Sequence, residues 1–345
     1  MMGTSFVSSV PLSTSGRDLR RVEGRRRGAV WCKAEGSTVE GKIQCRFPEV
    51  ERIVAIGDLH GDLYATMRAL RAANLITPDG NWIGGNTNLV QVGDVLDRGN
   101  QEIAILELLW SLKEEAQAQG GDVHMTLGNH ELLNVALDFK FVSEGGFSDF
   151  QDAVFDDSTP MSDEVRSKFE SLPENAKQRA VALRPGGDIA VRLADCNLVL
   201  QIGRNVFVHG GLTTKHVRAF GSIEAINERV RGWLLGKMPE PRWILRASES
   251  PVWMRDYSTY QRLFSASNTC KELEKTLNMM EADRMVVGHT PHEFGANCAC
   301  GNQIWRIDTG MSFSYSGKPE VLEIKGDDVN VLTEKGSVRA ALRSL

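Results

Sequence analysis

Ile53-Val54-Ala55-Ile56-Gly57-Asp58-Leu59-His60-Gly61-Asp62 decides the fold, because four apolar residues run straight into a glycine-flanked Asp-x-His. The pattern recurs twice. Leu89 to Val92 runs into Gly93-Asp94-Val95-Leu96-Asp97-Arg98-Gly99, and Val123 to Leu127 runs into Gly128-Asn129-His130-Glu131. A short apolar run bounded by turn residues reads as a buried strand. Each polar block therefore falls at the carboxyl end of a strand, where open α/β sheets place their sites. Helices are predicted over 62–74 and 101–119, and strands over 52–57, 88–93 and 122–128. This βαβαβ rhythm argues for a largely parallel, right-handed arrangement. In the second helix Ile103, Leu106, Leu109, Trp110 and Leu112 form one stripe, which reads as a core face.

Residues 139–187 break the rhythm. Phe139, Phe141, Phe147, Phe150 and Phe155 stand among acidic and glycine residues, and the segment closes on Arg184-Pro185-Gly186-Gly187. We read an inserted, partly helical lobe. Strands are then predicted at 189–192, 198–202, 206–208, 285–287, 303–307, 320–324 and 329–332, the first three belonging to a second sheet. The expected organisation is a leader over 1–49, polar and short of periodic structure from residue 34, and one folded domain over 50–345.

Two more blocks, His209-Gly210-Gly211 and Gly288-His289-Thr290, complete a set of five that holds four of the seven histidines. Divalent metals in hydrolytic sites take imidazole nitrogen and carboxylate or amide oxygen. The blocks supply Asp58, His60, Asp94, Asn129, His209 and His289, enough for about two ions. In an extended Asp58-x-His60 segment the two side chains point the same way and can reach one ion. Cysteine is missing from every ligand position, which fits catalysis better than a structural zinc. Taken alone, His209 reads as a core histidine at a turn and Gly288-His289-Thr290-Pro291 as an ordinary turn. The joint set carries the argument.

The ordered motifs G-D-x-H-G, G-D-x-x-D-R-G, G-N-H-E, H-G-G and G-H-T resemble the phosphoprotein phosphatase branch of the calcineurin-like metallophosphoesterases, over residues 52 to about 310. Within that branch, Pro251-Val252-Trp253-Met254-Arg255 and Ile304-Trp305-Arg306-Ile307-Asp308-Thr309-Gly310-Met311-Ser312 resemble the Shewanella-like phosphatases of plants and bacteria. The S-A-P-N-Y-C stretch of the eukaryotic Ser/Thr phosphatases is absent, and Asp308-Thr309-Gly310 resembles a bacterial dinucleotide-polyphosphatase pattern instead.

The resemblance implies an α/β fold, a two-sheet β-sandwich flanked by helices. It implies that Asp58, His60 and Asp94 hold one metal and that Asp94, Asn129, His209 and His289 hold the other. Two such ions, drawn from Mn, Fe or Zn, clamp a phosphate and turn a shared bridging water into hydroxide near neutral pH. By the same resemblance His130 protonates the leaving group with Asp97 behind it. Asp97 is equally open to a salt bridge with Arg98. Arg98 and Arg255, with Asn129, are candidates for gripping the phosphate oxygens, since planar guanidinium groups bind them bidentately. Arg255 beside Trp253 has the alternative of simple stacking. Glu131, Asp308 and Asp62 are candidates for supporting the ligands. The expected activity is a metal-dependent phosphatase acting on a phosphoprotein or phosphopeptide, and the alternative is hydrolysis of a dinucleoside polyphosphate.

Composition sets the remaining bounds. The chain has 345 residues, 41% of them apolar, enough for a packed core. No apolar run approaches the roughly 18 residues needed to span a bilayer. Through Lys33 the sequence carries seven basic residues, two acidic ones and five serines, the composition of a transit peptide, with a basic tail as the plain alternative. Val30-Trp31-Cys32-Lys33-Ala34 resembles the cleavage neighbourhood of chloroplast transit peptides, and the expected location is the chloroplast stroma. Removing that segment takes the formal charge from −5 to about −10, which disfavours nucleic acid as a partner. Six cysteines are scattered without a disulfide-framework spacing, so a reducing compartment is expected. Cys298-Ala299-Cys300 is read as inert thiols, a redox thiol or a third metal site, because neighbouring cysteines rarely bridge each other.

Overall fold

A computed structural model describes residues 43–151, 160–259, 266–315 and 318–339. The leader through residue 42, with its cleavage neighbourhood, lies outside the described residues, as does Phe155 of the predicted lobe.

Two six-stranded sheets face each other. In one, β2 (Ile53–Ile56), β3 (Asn88–Gln91) and β4 (Asp122–Met125) run parallel, and β10 (Glu320–Lys325), β11 (Asp328–Thr333) and β12 (Gly336–Arg339) extend it antiparallel beyond β2. In the other, the order is β1 (Arg46–Phe47), β5 (Val199–Ile202), β6 (Asn205–Val208), β7 (Arg284–Val287), β9 (Ile304–Arg306) and β8 (Asn297–Ala299). The pairs β6–β7 and β7–β9 are parallel.

Residue alternation explains the sandwich. Ile53 and Ala55 of β2 join Phe207, Val286 and Trp305 of the opposite sheet in one buried cluster between the sheets. Their neighbours Val54 and Ile56, like Val206, Val208, Met285 and Val287, turn outward into a second cluster shared with the helices. A one-residue slip would exchange the two faces, so burial on both sides fixes the register. Helices α1 (Leu63–Ala72) and α2 (Glu102–Gln117) connect the parallel strands, and Asp62 caps α1 by accepting from the Ala65 amide.

The predicted lobe contains α4 (Glu144–Asp149), α5 (Asp163–Ser171) and α6 (Glu174–Leu183), and α3 (Asn129–Val135) leads into it. One predicted strand is a helix. Residues 189–192 fall inside α7 (Asp188–Leu193), where Ile189, Ala190 and Leu193 are buried. A short apolar run does not distinguish strand from helix, and Asp188 in the first turn favours the helix. Upstream of Val50, Arg46 and Phe47 pair with Gln201 and Ile202, so ordered sheet begins earlier than the polar composition suggested. Among the described residues no helix is long and apolar enough to cross a membrane.

The cysteines also depart from expectation. Cys300 is not an inert thiol but forms a disulfide with Cys270, joining helix α11 (Ala266–Met280) to the β8–β9 turn; α8 (Thr214–Phe220), α9 (Ile223–Leu234) and α10 (Arg242–Arg246) precede it. Cys298 is buried and lies outside the disulfide.

Candidate metal centre

The candidate ligands converge from the carboxyl ends of both sheets. Asp58 and His60 follow β2, Asp94 follows β3 and Asn129 follows β4, while His209 follows β6 and His289 follows β7. All six are buried. The chain bends sharply there, since His60 (φ 44°), Asp94 (φ 59°), Asp97 (φ 69°), Arg98 (φ 67°) and His289 (φ 67°) take left-handed backbone. Each such residue costs roughly 1–3 kcal/mol, and strain of this kind concentrates at functional sites. Glycine makes the convergence possible. A Cβ on Gly128 would lie 2.1 Å from Asp94 Oδ1, and one on Gly288 would lie 2.4 Å from Asp58 Oδ1.

Each histidine is oriented by its surroundings. His60 Nδ1 lies 3.0 Å from the Leu96 carbonyl and His209 Nδ1 lies 2.8 Å from the Val92 carbonyl, so each Nδ1–H donates and each Nε2 is aimed into the site. His209 Nε2 faces Asn129 Oδ1 at 3.0 Å and Asp94 Oδ2 at 3.1 Å. His289 Nε2 is buried without a hydrogen-bond partner. Its backbone N–H donates to Asp58 at 3.2 Å.

The electrostatics suit cations. Burial pushes the Asp58 carboxyl well up, helped by Asp308 and Asp94, and burial pushes Asp308 to about 6. Burial alone would raise Asp94 too, but His209 and His130 beside it hold it well below the ordinary range. Burial lowers His60 to about 4, and burial with His209 and Arg255 pulls His289 well down, so both present neutral nitrogens. Asp94 is common to two groups whose donor atoms lie within 4.8 Å of one another: His60, Asp94 and His130, and Asp94, His209 and His289. Packed carboxylates, an amide oxygen and free imidazole lone pairs match the donor set of two hydrolytic metals. The first group includes His130 and leaves out Asp58, whose carboxylate is turned toward Asp308 and the His289 amide.

His130 is held at both ends. Its Nδ1 lies 2.6 Å from Asp97 Oδ2, its Nε2 lies 3.8 Å from Asp94 Oδ2, and its amide donates to Asp94 Oδ1 at 3.0 Å. Burial would lower its pKa, but Asp94 and then Asp97 reverse that and raise it. Asp97 binds His130, Asn134 and Arg179. Arg98 lies with its guanidinium carbon 5.0 Å from the Tyr315 ring and 5.4 Å from the Phe141 ring. Arg255 is exposed at the rim and donates to Thr290 Oγ1 at 2.8 Å and to the His289 carbonyl at 3.2 Å.

The three supporting carboxylates differ in kind. Glu131 accepts from the amides of Asp94, Val95, Leu96 and Gly128, bracing the loop that carries Asp94. Asp62 caps α1 and also accepts from the Phe313 amide at 2.7 Å. Asp308 contacts Asp58 and accepts from the Gly310 amide at 2.9 Å. Arg179, Asn134, Glu102, Phe141 and Tyr315 were not singled out as site residues, because they lie outside the motifs and meet the site only through tertiary packing.

Comparison with known proteins converges on one family. Residues 51–293 match the calcineurin-like phosphoesterase family. Shewanella-like protein phosphatase 2 of Arabidopsis thaliana is 40% identical over 319 residues, covering 84% of this chain and 80% of that protein. Shewanella-like protein phosphatase 1 of Plasmodium berghei is 30% identical over 296 residues, covering 82% and 75%. Among solved structures, the cold-active protein-tyrosine phosphatase of a psychrophilic Shewanella species superposes with a TM-score of 0.68 at 21% identity, covering 86% of this chain and 82% of that one.

Proposed function

This chain belongs to the Shewanella-like phosphatases of the calcineurin-like phosphoesterase family, and from that premise we propose that it hydrolyses phosphomonoesters on proteins with two metal ions. The observation that carries the reading is Asp94, shared by two buried ligand groups, with the Asp97–His130 pair beside it. Asp58, His60 and Asp94 would hold one ion and Asp94, Asn129, His209 and His289 the other. Bound there, the metals supply Lewis acidity toward phosphate oxygens and lower the pKa of water.

The chain's own residues do the rest. Arg98 and Arg255 bind the non-bridging oxygens, Arg98 from between two aromatic rings and Arg255 from the rim. The Asn129 side-chain amide can also donate to a phosphate oxygen. His130 holds its proton against Asp97 through Nδ1 and delivers one from Nε2 to the departing alkoxide or phenoxide. Mn, Fe and Zn all suit this donor set. The basic, serine-bearing sequence through Lys33 supports import into a chloroplast.

The test compares phosphoserine, phosphothreonine and phosphotyrosine peptides with dinucleoside polyphosphates on purified chain reconstituted with each metal. Turnover of phosphopeptides at least tenfold above the nucleotides is expected, on the scale of pocket discrimination. Preference for the nucleotides would replace this reading with the polyphosphate alternative. A fluorescent fusion of residues 1 to about 50 should enter chloroplasts, and a diffuse cytosolic signal would end the localisation proposal.

A further inference from the structure

Among the described residues, a completely buried cation lies within reach of the Asp97–His130 pair and in none of the motifs. Arg179, on α6 of the inserted lobe, is 0% exposed. Its Nε donates to Asn134 Oδ1 at 2.8 Å, its Nη1 to the Gly146 carbonyl at 3.1 Å, and its Nη2 to Asp97 Oδ1 at 3.3 Å. Nη1 also pairs with Glu102 Oε2 at 2.7 Å, and the guanidinium carbon sits 4.5 Å from the Phe150 ring and 5.8 Å from the Phe139 ring.

Asp97 is consequently held from every side. Its Oδ1 takes hydrogen bonds from Arg179 and from Asn134 Nδ2 at 2.8 Å, its Oδ2 faces His130 Nδ1 at 2.6 Å, and its backbone N–H donates to Glu102 Oε1 at 3.1 Å. Glu102 is the second carboxyl group against Arg179, so the buried guanidinium is shared between two side chains, and burial pushes the Glu102 carboxyl up to about 8.

We propose that Arg179 is a positioning residue for catalysis, which locks the Asp97 carboxylate so that Oδ2 stays on His130 and thereby makes the inserted lobe part of the proton-delivery machinery. This rests on His130 acting as the acid. A buried carboxylate with one oxygen unbonded could rotate, or draw the proton from His130; two donors on Oδ1 prevent both. A structural ion pair would need neither the 3.3 Å contact to Asp97 nor the shared Asn134 bridge.

The experiment uses full-length, metal-loaded Arg179→Lys and Arg179→Met, assayed on a phosphoserine peptide and on an aryl phosphate with an acidic phenol, with Asp97→Asn and His130→Asn beside them. Melting temperature and metal content are recorded for each. The expected result is that Arg179→Met lowers kcat on phosphoserine by about tenfold or more, with little change in KM and a much smaller loss on the aryl ester, which needs little proton donation. Arg179→Lys, which keeps the charge, should recover part of the loss and remain folded if the Met variant is not. In an Asp97→Asn background Arg179→Lys should cost little more, because both act through one group. A folded Arg179→Lys that matches wild type on both esters, or loses equally on both while His130→Asn loses selectively, would overturn the proposal. Equal losses for His130→Asn on both esters would remove the acid reading and this inference with it.

Discussion

Asp97 Oδ2 lies 2.6 Å from His130 Nδ1, and both side chains are buried. This short contact leaves Nε2 as the ring nitrogen that faces Asp94 and the candidate metal centre. His130→Asn should keep the metals yet slow turnover of phosphoserine by roughly a hundredfold to ten-thousandfold, the usual weight of general acid catalysis. The loss should shrink as the leaving group becomes more acidic. Steady-state rates on a graded series of aryl phosphates provide the check; a flat dependence would assign His130 to something other than proton donation.

Asp94→Asn should lower bound metal more than His289→Ala, because Asp94 is common to both donor groups and His289 belongs to one. Elemental analysis of purified variants gives the answer. Near-complete loss in the first and loss of about one ion in the second are expected. Two ions retained in both would end the ligand assignment.

The histidine outside the motifs on β4 makes a separate prediction about pH. His124 is buried against the Phe47 ring with Nε2 3.0 Å from Asn88 Oδ1, and burial lowers it from 6.5 to about 4 despite Asp122 at 3.8 Å. The unfolded chain therefore takes up this proton more readily than the folded one. The stability is complete above pH 6.5 and is lost as pH falls toward 4, by about 2 kcal/mol between pH 7 and pH 5. In urea titrations His124→Gln should flatten that part of the profile. An unchanged difference between the two pH values would rule His124 out as its source.

Much of this was legible because the candidate ligands are tied to local sequence. Asp58, Asp94 and Asn129 each follow an apolar strand by a few residues, so the motif and the sheet edge are one signal. The sandwich follows only from the resemblance, and nothing in the sequence points to the pairing of β2 with β10, whose residues lie far apart in the chain. Residues 189–192 were misread because four residues of alternating size carry no period. Arg179 was invisible for a different reason: it follows Lys177 on its helix and reads as a second basic residue ahead of the apolar Ala180 to Leu183, and only the tertiary packing of the lobe buries it. Cys270 and Cys300 are 30 residues apart, and nothing in their spacing singles out that pair.

That disulfide can be read in stability. Closing a loop of 30 residues removes unfolded-state entropy worth about 3–4 kcal/mol. Cys270→Ser should lower the unfolding free energy of the oxidised protein by that amount, seen as a lower denaturant midpoint, and reductant should bring wild type to the same value. If reductant leaves the wild-type midpoint where it was, the bridge is not formed in solution.

Arg98 is placed by aromatic faces. Its guanidinium carbon is 5.0 Å from Tyr315 and 5.4 Å from Phe141, its Nε is buried without a hydrogen-bond partner, and its backbone is left-handed at φ 67°. Two rings fix the plane of the fork through cation–π contact while leaving its charge available to a phosphate. Arg98→Lys keeps the charge but loses the plane and the paired hydrogen bonds, so kcat/KM should fall on the order of tenfold to a hundredfold. Tyr315→Ala, which keeps the guanidinium but removes one face, should cost less. Both variants should keep their metals and bind inorganic phosphate more weakly as a competitive inhibitor. If phosphate inhibits Arg98→Lys as strongly as wild type, the guanidinium does not touch the transferred group, and the aromatic faces serve packing alone.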